Sequence, residues 1–179
     1  LKDSKKVALF GMASYDFIAG GMGSGSVCTP YVVDLMQGLT NAGLEVTEEL
    51  KKLYLAYKGY QEAKSESERL SYDWRWGRDI FPEMDVPRLC IDKQAKEADI
   101  AVFTIGRQGG EAWDRKIEGD FNLTDRERRL LDDLCAAFHA EGKKVVVVIN
   151  AGGVIETASW KELPDAILLA WYPGQAGGL

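Results

Sequence analysis

The chain of 179 residues is long enough for one globular domain with a buried core, and its composition, 46% hydrophobic and 28% charged, fits that class. A net charge of −6 argues against nucleic acid or an anionic membrane surface as the main partner, and no apolar run approaches the roughly 20 residues of a membrane span. Cys28, Cys90 and Cys135 lack zinc-site spacing, and their odd number argues against a full disulfide framework. No metal or organic cofactor is predicted.

The first predicted element is a buried strand at Lys6–Phe10 (KVALF), an apolar run that is followed by a long glycine-rich loop over residues 11–28. Thr29 and Pro30 suit the N-cap and the first position of a helix, which is expected to end near Gly43. A weak strand and a long helix-prone segment come next, at residues 44–46 and 47–70.

Residues 71–90 contain two prolines and many aromatic residues, which predicts an irregular excursion of the chain. Tyr72, Trp74 and Trp76 in this segment either form a platform for a sugar or pack together as a small cluster. The next predicted elements are a short helix and a strand, at residues 91–98 and 99–105. The strand is apolar on both faces, as a central parallel strand is.

Further along the chain, Thr124 and Glu127 predict a capping box, which starts a helix that ends at Gly142. The run KVVVVI at residues 144–149 strongly indicates another strand. A short helix and a last strand are then predicted, the helix through Trp160 and the strand at residues 166–171.

Alternation of apolar strands with helices predicts a single α/β domain over residues 1–179, a three-layer α/β/α sandwich with a mainly parallel sheet of about five strands. Ligands of such sheets bind at the carboxyl ends of the strands. The unusual segments of this sequence all follow strands: the glycine loop, GRQGGEAWDR, NAGG and YPGQAGG. We therefore expect a site at that edge of the sheet.

The glycine loop AGGMGSGS, at residues 19–26, leaves three interpretations open. It lacks the spacing of a P-loop or a dinucleotide fingerprint, which weakens a phosphate-binding hypothesis. It could be a flexible or tightly turned connection. It could also bring its backbone close to an uncharged polar ligand, with Ser24 and Ser26 as hydrogen-bond donors.

Glu111 is the best candidate for a catalytic residue. Small neighbours leave its carboxyl group accessible, and Trp113 could stack on a ligand or raise the carboxyl pKa by desolvation. Asp114 and Arg115 could brace the loop through charge-assisted hydrogen bonds. The alternative is a solvated glutamate beside a surface ion pair. His139, the only histidine, lies within a predicted helix away from the strand ends, and a structural or surface role is expected for it.

Five blocks of this sequence, in order, resemble the α/β/α sandwich domain of glycoside hydrolase family 3, which includes β-glucosidases and related exo-acting enzymes. They are KVALFGMASYDFIAGGMGSGSV, ADIAVFTIGRQGGEAWDR, GDFNLTDRERRLL, VVVVINAGGVIE and DAILLAWYPGQAGG. The resemblance covers nearly the whole chain, apart from residues 50–90. GEAWDR departs from the family's Gly-Glu-Gly-Tyr-Asp-Arg type motif at Ala112 and Trp113.

The resemblance implies a retaining exo-acting β-glycosidase whose site is shared with a (β/α)8 barrel that carries an Asp nucleophile. Glu111 matches the general acid/base of the motif, and the matched loop residues Gly23, Ser24 and Gly25 are expected to border the sugar. Trp113 is assigned to substrate binding. The implied partners are a carbohydrate substrate and the barrel, with neither nucleic acid nor a membrane. The supporting residues are Arg107, Asp114 and Arg115.

The resemblance also implies that the chain is a piece of a longer protein, since the family's sandwich continues past PGQAGG, and that the isolated chain is inactive. Two other functions remain open. The domain could shape the substrate site or mediate interactions without catalysing the reaction, or it could be a nucleotide-binding α/β domain.

Overall fold

A parallel sheet of five strands forms the centre of the computed structural model, which describes residues 4–25, 27–68, 80–109 and 114–178. The strand order is β2-β1-β3-β4-β5, with every neighbouring pair parallel. The strands are β1 (Lys6–Phe10), β2 (Glu45–Val46), β3 (Ile100–Arg107), β4 (Lys144–Ala151) and β5 (Ala166–Leu169). The predicted α/β class with about five mainly parallel strands is confirmed.

The helices lie in the connections between the strands. They are α1 (Met12–Tyr15), α2 (Leu35–Asn41), α3 (Glu48–Glu68), α4 (Arg88–Glu97) and α5 (Asp125–Ala140). The connection from β1 to β2 runs towards one edge of the sheet, and the later connections run towards the other edge. Right-handed crossovers therefore place α2 on the opposite face from α3, α4 and α5, which gives the three layers. Helix α1 lies at the carboxyl ends of the strands, where Tyr15 stacks on Tyr54 of α3. No helix in the described ranges combines the length and apolar character needed to cross a membrane.

Helix α5 packs against β3 and β4. Leu130, Leu131, Leu134 and Phe138 form its buried stripe, as their spacing of three to four residues predicts. The capping box at its start is confirmed, because Thr124 Oγ1 accepts a bond from the Glu127 amide at 3.2 Å and Glu127 Oε2 accepts one from the Thr124 amide at 2.8 Å.

The start of α2 differs from the prediction that placed its N-cap at Thr29. Asp34 is the N-cap, and its Oδ1 accepts a bond from the amide of Gln37 at 2.7 Å. The preceding segment is extended because Val33 forms backbone bonds with Gln175 and Gly178, at 2.8 and 2.9 Å. A long-range pairing therefore overrides the local Thr-Pro signal.

Other boundaries also depart from the sequence expectations. Helix α4 begins at Arg88 rather than at residue 91, since Pro87 takes the N-cap position. Gly106 and Arg107 belong to β3 and pair with Asn150 and Ala151, whereas β5 stops at Leu169. The predicted short helix that ends at Trp160 is a series of turns.

Candidate active site at the carboxyl edge of the sheet

The crevice between β1 and β3, where doubly wound sheets usually bind ligands, is filled by the chain itself. Helix α1 lies in it, and Ser14 Oγ is 2.6 Å from Thr104 Oγ1. Gly11 has a φ of 94°, and a Cβ there would lie 2.3 Å from the carbonyl oxygen of Thr104. A Cβ at Gly106 would lie 2.8 Å from that of Ala13. Two glycines thus permit this close packing.

Asn150, from the NAGG segment, fixes the chain that follows α1. Its side chain is fully buried, and its Oδ1 accepts a bond from the Ile18 amide at 2.7 Å. Its Nδ2 donates to the carbonyl oxygens of Ile18 and Trp171, at 2.9 and 2.8 Å. Trp171 has a φ of 53°, and its indole is exposed. Asn150 therefore has a structural role, because it joins the loops that follow β1 and β5.

An open cleft of about 670 Å³ lies beside this filled crevice, at the end of β3. Its walls come from residues 80–83, the end of β3 and the segment that leads to α5. The lining residues are Met22, Ile80, Phe81, Pro82, Glu83, Gly106, Arg107, Gln108, Asp114, Arg115, Lys116, Gly119, Asp120, Thr124 and Glu127. The cleft combines an apolar wall with groups of both charges, as small-molecule sites often do.

Arg107, predicted as a supporting residue, forms a buried bidentate pair with Glu127. Its Nη1 and Nη2 each donate to one carboxylate oxygen at 2.7 Å, and each side chain is 8% exposed. Its Nε donates to the carbonyl oxygen of Asp120 at 2.7 Å. The same glutamate caps α5, so this helix and the end of β3 are held together by one carboxylate.

Arg115, the other predicted arginine, pairs with Asp120 five residues later. Its Nε and Nη2 donate to Asp120 Oδ1 at 2.9 and 2.7 Å, and its Nη1 contacts the carbonyl oxygen of Val154 in the loop after β4. The carbonyl oxygen of Asp120 accepts bonds from both arginines. Asp120, in the wide turn at Ile117–Phe121, therefore binds both Arg107 at the end of β3 and Arg115 just before the turn.

Glu83 forms the wall between the crevice and the cleft. Its carboxylate accepts bonds from the amides of Met12 and Met84 and from the hydroxyl of Tyr54, at 2.8, 3.0 and 3.0 Å. Burial raises the pKa of Glu83 to about 7, and the nearby Glu127 adds to the rise, against these hydrogen bonds, which lower it. The carboxyl group can therefore change its charge near neutral pH.

The expected sugar-binding loop contains a single turn of 3-10 helix at Gly23–Gly25. Gly23 has a φ of 60°, and the Gly25 amide donates to the carbonyl oxygen of Met22 at 3.1 Å. The backbone of Ser24 lies in this turn. Residues 22–25 of the loop therefore form a tight turn, and the role of Gly23, Ser24 and Gly25 beside a sugar stays a prediction.

Glu111 and Trp113 lie outside the described residues, as do the aromatic residues of segment 69–79 and Ser26. Asp114 is exposed at the rim of the cleft. His139 lies near the amino ends of the strands, where its Nε2 is 2.9 Å from Oδ2 of Asp165, the residue that precedes β5. This placement agrees with the structural or surface role that its position in a helix suggests.

Three polar residues at this edge were not singled out from the sequence, namely Glu83, Asp120 and Tyr172. Tyr172 Oη accepts a bond from the Gly109 amide at 2.6 Å and donates one to the carbonyl oxygen of Arg107 at 3.0 Å. In the sequence, Glu83 is a carboxylate in an aromatic segment, Asp120 belongs to the GDF that precedes the capping box, and Tyr172 is the tyrosine of YPGQAGG. None of them specifies a partner without the fold.

The profile of the Glycosyl hydrolase family 3 C-terminal domain matches residues 1–179. β-Glucosidase A of Butyrivibrio fibrisolvens is 30% identical over 205 residues, which cover 100% of this chain and 23% of that protein. The β-glucosidase of Ruminococcus albus is 30% identical, over 95% of this chain and 17% of its own length.

Among solved structures, β-glucosidase 3B from Thermotoga neapolitana in complex with glucose is 38% identical to this chain, with a TM-score of 0.87. The match covers 99% of this chain and 24% of that one. The chain therefore has the fold of an α/β sandwich and belongs to the glycosyl hydrolase family 3 C-terminal domain family. It spans about a quarter or less of the length of these relatives.

Proposed function

We propose that this domain is part of a longer retaining β-glycosidase and supplies the general acid/base to a site that a barrel-borne Asp nucleophile completes. The enzyme would remove terminal β-linked sugars from the non-reducing end of its substrate. The relatives support this assignment, since each is a β-glucosidase in which the matching region is a fraction of the chain. A sugar is also compatible with a cleft that contains both apolar and charged walls.

The observation that carries the proposal is that the described residues before and after Glu111 in the sequence are both anchored. On one side, Arg107 is bound by Glu127, and the Gly109 amide is bound by Tyr172. On the other side, Arg115 is bound by Asp120. The described residues on both sides of the segment that contains Glu111 are therefore anchored, and fixed surroundings of a catalytic group favour catalysis.

In the first step of this proposal, the Glu111 carboxyl group donates its proton to the glycosidic oxygen while the bond from that oxygen to the anomeric carbon breaks. The Asp carboxylate forms a bond to the anomeric carbon. In the second step, the Glu111 carboxylate takes a proton from water, whose oxygen attacks the anomeric carbon and displaces the Asp. Two such carboxyl groups lie about 5–5.5 Å apart in retaining enzymes.

Leaving-group dependence tests this assignment. In the intact enzyme, Glu111→Ala should reduce kcat/KM for an alkyl β-glucoside by at least about 100-fold, because this leaving group needs the proton. The first step with 2,4-dinitrophenyl β-glucoside should keep much of its rate, since that leaving group departs as an anion. Glu118→Ala is the matched control, as Glu118 is an exposed carboxylate of the same connection.

A uniform loss on both substrates, or an unchanged rate on the alkyl glucoside, would contradict the acid/base assignment. A change in KM with an unchanged pH profile would instead support a domain that only shapes the substrate site. Turnover by the 179-residue chain alone would contradict the requirement for a barrel-borne nucleophile.

A further inference from the structure

Tyr172 makes contact with several loops at the carboxyl edge of the sheet, although it follows the last strand. Its hydroxyl group uses its single proton on the carbonyl oxygen of Arg107 and accepts the amide proton of Gly109. Both partners are backbone groups in the segment where β3 ends. The two bonds fix the direction in which the chain leaves the sheet, because backbone partners cannot rotate away as side chains can.

Glycines surround the ring of Tyr172. A Cβ at Gly152, in the NAGG segment after β4, would lie 2.1 Å from Cε2 and 2.6 Å from Oη of Tyr172. A Cβ at Gly109 would lie 3.6 Å from Oη, and one at Gly21 would lie 3.9 Å from Cε2. Gly152 is therefore required for the ring to lie where it does, whereas a Cβ at either of the other two glycines would lie at an ordinary contact distance from the tyrosine.

The backbone around Tyr172 is also tied to the loop after β1. The carbonyl oxygen of Trp171 accepts a bond from the buried Asn150, and the amide of Gly174 donates to the carbonyl oxygen of Ala19 at 2.9 Å. Gly21 lies beside the ring of Tyr172, and Ala19, two residues earlier, is bonded to Gly174. Tyr172 and the residues next to it therefore connect the glycine loop to the end of β3.

We propose that Tyr172 is a positioning residue of the substrate site, which holds residues 107–109 and the glycine loop in one fixed arrangement. This inference rests on the proposed glycosidase function, because that function assigns both loops to the sugar site. Packing of the ring contributes to folding, whereas the two hydroxyl bonds set the geometry of the site. Removal of the hydroxyl group alone should therefore affect catalysis more than folding.

The first test examines the contact itself. In the intact enzyme, hydrogen exchange of the Gly109 amide should become at least about ten-fold faster in Tyr172→Phe, since its acceptor is lost. Tyr60→Phe is the matched control, because Tyr60 is an exposed tyrosine on α3. An unchanged exchange rate at Gly109 would overturn the inference.

The second test measures catalysis in the intact enzyme, with active sites counted by a mechanism-based inactivator and the assay run well below the unfolding temperature. Tyr172→Phe should reduce kcat/KM per titrated site for aryl β-glucosides by about ten-fold or more, whereas Tyr60→Phe should leave it unchanged. A lower unfolding temperature with an unchanged kcat/KM per site would show a structural role only and would overturn the inference.

Gly152→Ala provides an independent variant, because its added methyl group would occupy the position of the tyrosine ring. It should reduce kcat/KM per site in the same direction, and adding Tyr172→Phe should cause little further loss. Independent, multiplicative losses would overturn the shared mechanism. These results are separable from those for Glu111. If the acid/base assignment of Glu111 were wrong, Tyr172→Phe would still reduce kcat/KM. If the intact wild-type enzyme hydrolysed no glycoside, the proposed function itself would be refuted.

Discussion

The crevice between β1 and β3 and the cleft beside Arg107 lie at the same carboxyl edge of the sheet, and they differ in what occupies them. Helix α1 fills the crevice, with Ser14 against Thr104 and Ala13 against Gly106. The cleft keeps about 670 Å³ between charged side chains and residues 80–83. The sheet thus brings loops together at one edge, whereas local packing decides which gap can accept a ligand.

This difference argues against the nucleotide-binding hypothesis. A doubly wound sheet holds a nucleotide in the crevice that α1 occupies here, and phosphate binding there needs free amides at a helix start. The amide of Met12, the first residue of α1, donates to Glu83 instead. That amide is therefore not free to bind a phosphate group.

The largest effect is expected from the ion pair in the cleft. Glu127→Ala should lower the free energy of unfolding by about 3–5 kcal/mol, because it leaves the Arg107 charge buried without its bidentate partner. Asp133→Ala is the control, since it breaks an exposed pair with Arg88 and should cost about 1 kcal/mol or less. Urea denaturation at one pH measures the loss of stability in both variants. Equal losses would mean that water solvates the Arg107 guanidinium in place of the lost carboxylate.

The next effect concerns the filled crevice. Gly11→Ala should cost about 2–4 kcal/mol, because the methyl group meets the Thr104 carbonyl and φ is 94°. Gly43→Ala should cost about 1 kcal/mol, since its φ is also positive, at 82°, but no atom lies within 4 Å of the new Cβ. The difference in urea midpoint between the two variants reports the packing of α1. Equal losses of stability would mean that α1 shifts to accommodate the methyl group at little cost.

Glu83, which separates the two gaps, should make stability depend on pH. Its pKa rises from an ordinary 4.5 to about 7 on folding, so the folded state binds the proton more tightly than the unfolded chain. The stability it contributes is fully present below pH 4.5 and is lost as the pH rises through 7, by an amount on the order of 3 kcal/mol.

Glu83→Gln should abolish that part of the pH dependence. The difference in unfolding free energy between the wild type and Glu83→Gln, measured from pH 4.5 to 8, should shift in favour of the variant as the pH rises. Tyr54 and Glu127, the groups that interact with Glu83 from α3 and α5, stay unchanged in this comparison. Parallel pH curves for the two proteins would contradict the assignment.

The smallest effects compare single polar groups from the two gaps. Ser14→Ala should cost about 1 kcal/mol, because it removes a buried hydroxyl group that bonds the Phe10 carbonyl at 2.7 Å. Asp114→Ala, at the exposed rim of the cleft, should change stability by less than about 0.5 kcal/mol. Thermal unfolding of both variants would check this order, and the reverse order would mean that the crevice is hydrated.

Local signals in the sequence were sufficient for the frame of the fold. The apolar run at Lys6–Phe10 matches β1, and the Thr124 capping box starts α5 as expected. The sequence interpretation was wrong about the start of α2, because Val33 pairs with residues that lie some 140 positions later. Apolar periodicity and caps act within a few residues, so sequence patterns capture them.

The arrangement of the candidate site depends on contacts between distant segments, which explains why less of it was predicted. Arg107 and Arg115 were chosen as supporting residues, but their partners Glu127 and Asp120 follow from the path of the chain between β3 and α5. Tyr172 meets Gly109 only because β5 is parallel to β4 in the same sheet. Chemical type alone does not identify such pairs.

The most direct measurement of the central claim uses azide in the intact enzyme. Glu111→Ala, acting on 2,4-dinitrophenyl β-glucoside, should regain turnover when azide is added and should release β-glucosyl azide, because this anion attacks without a general base. The wild type and Glu118→Ala should release glucose. Release of glucose alone by Glu111→Ala, at the wild-type rate and without an azide adduct, would contradict the claim that Glu111 is the acid/base.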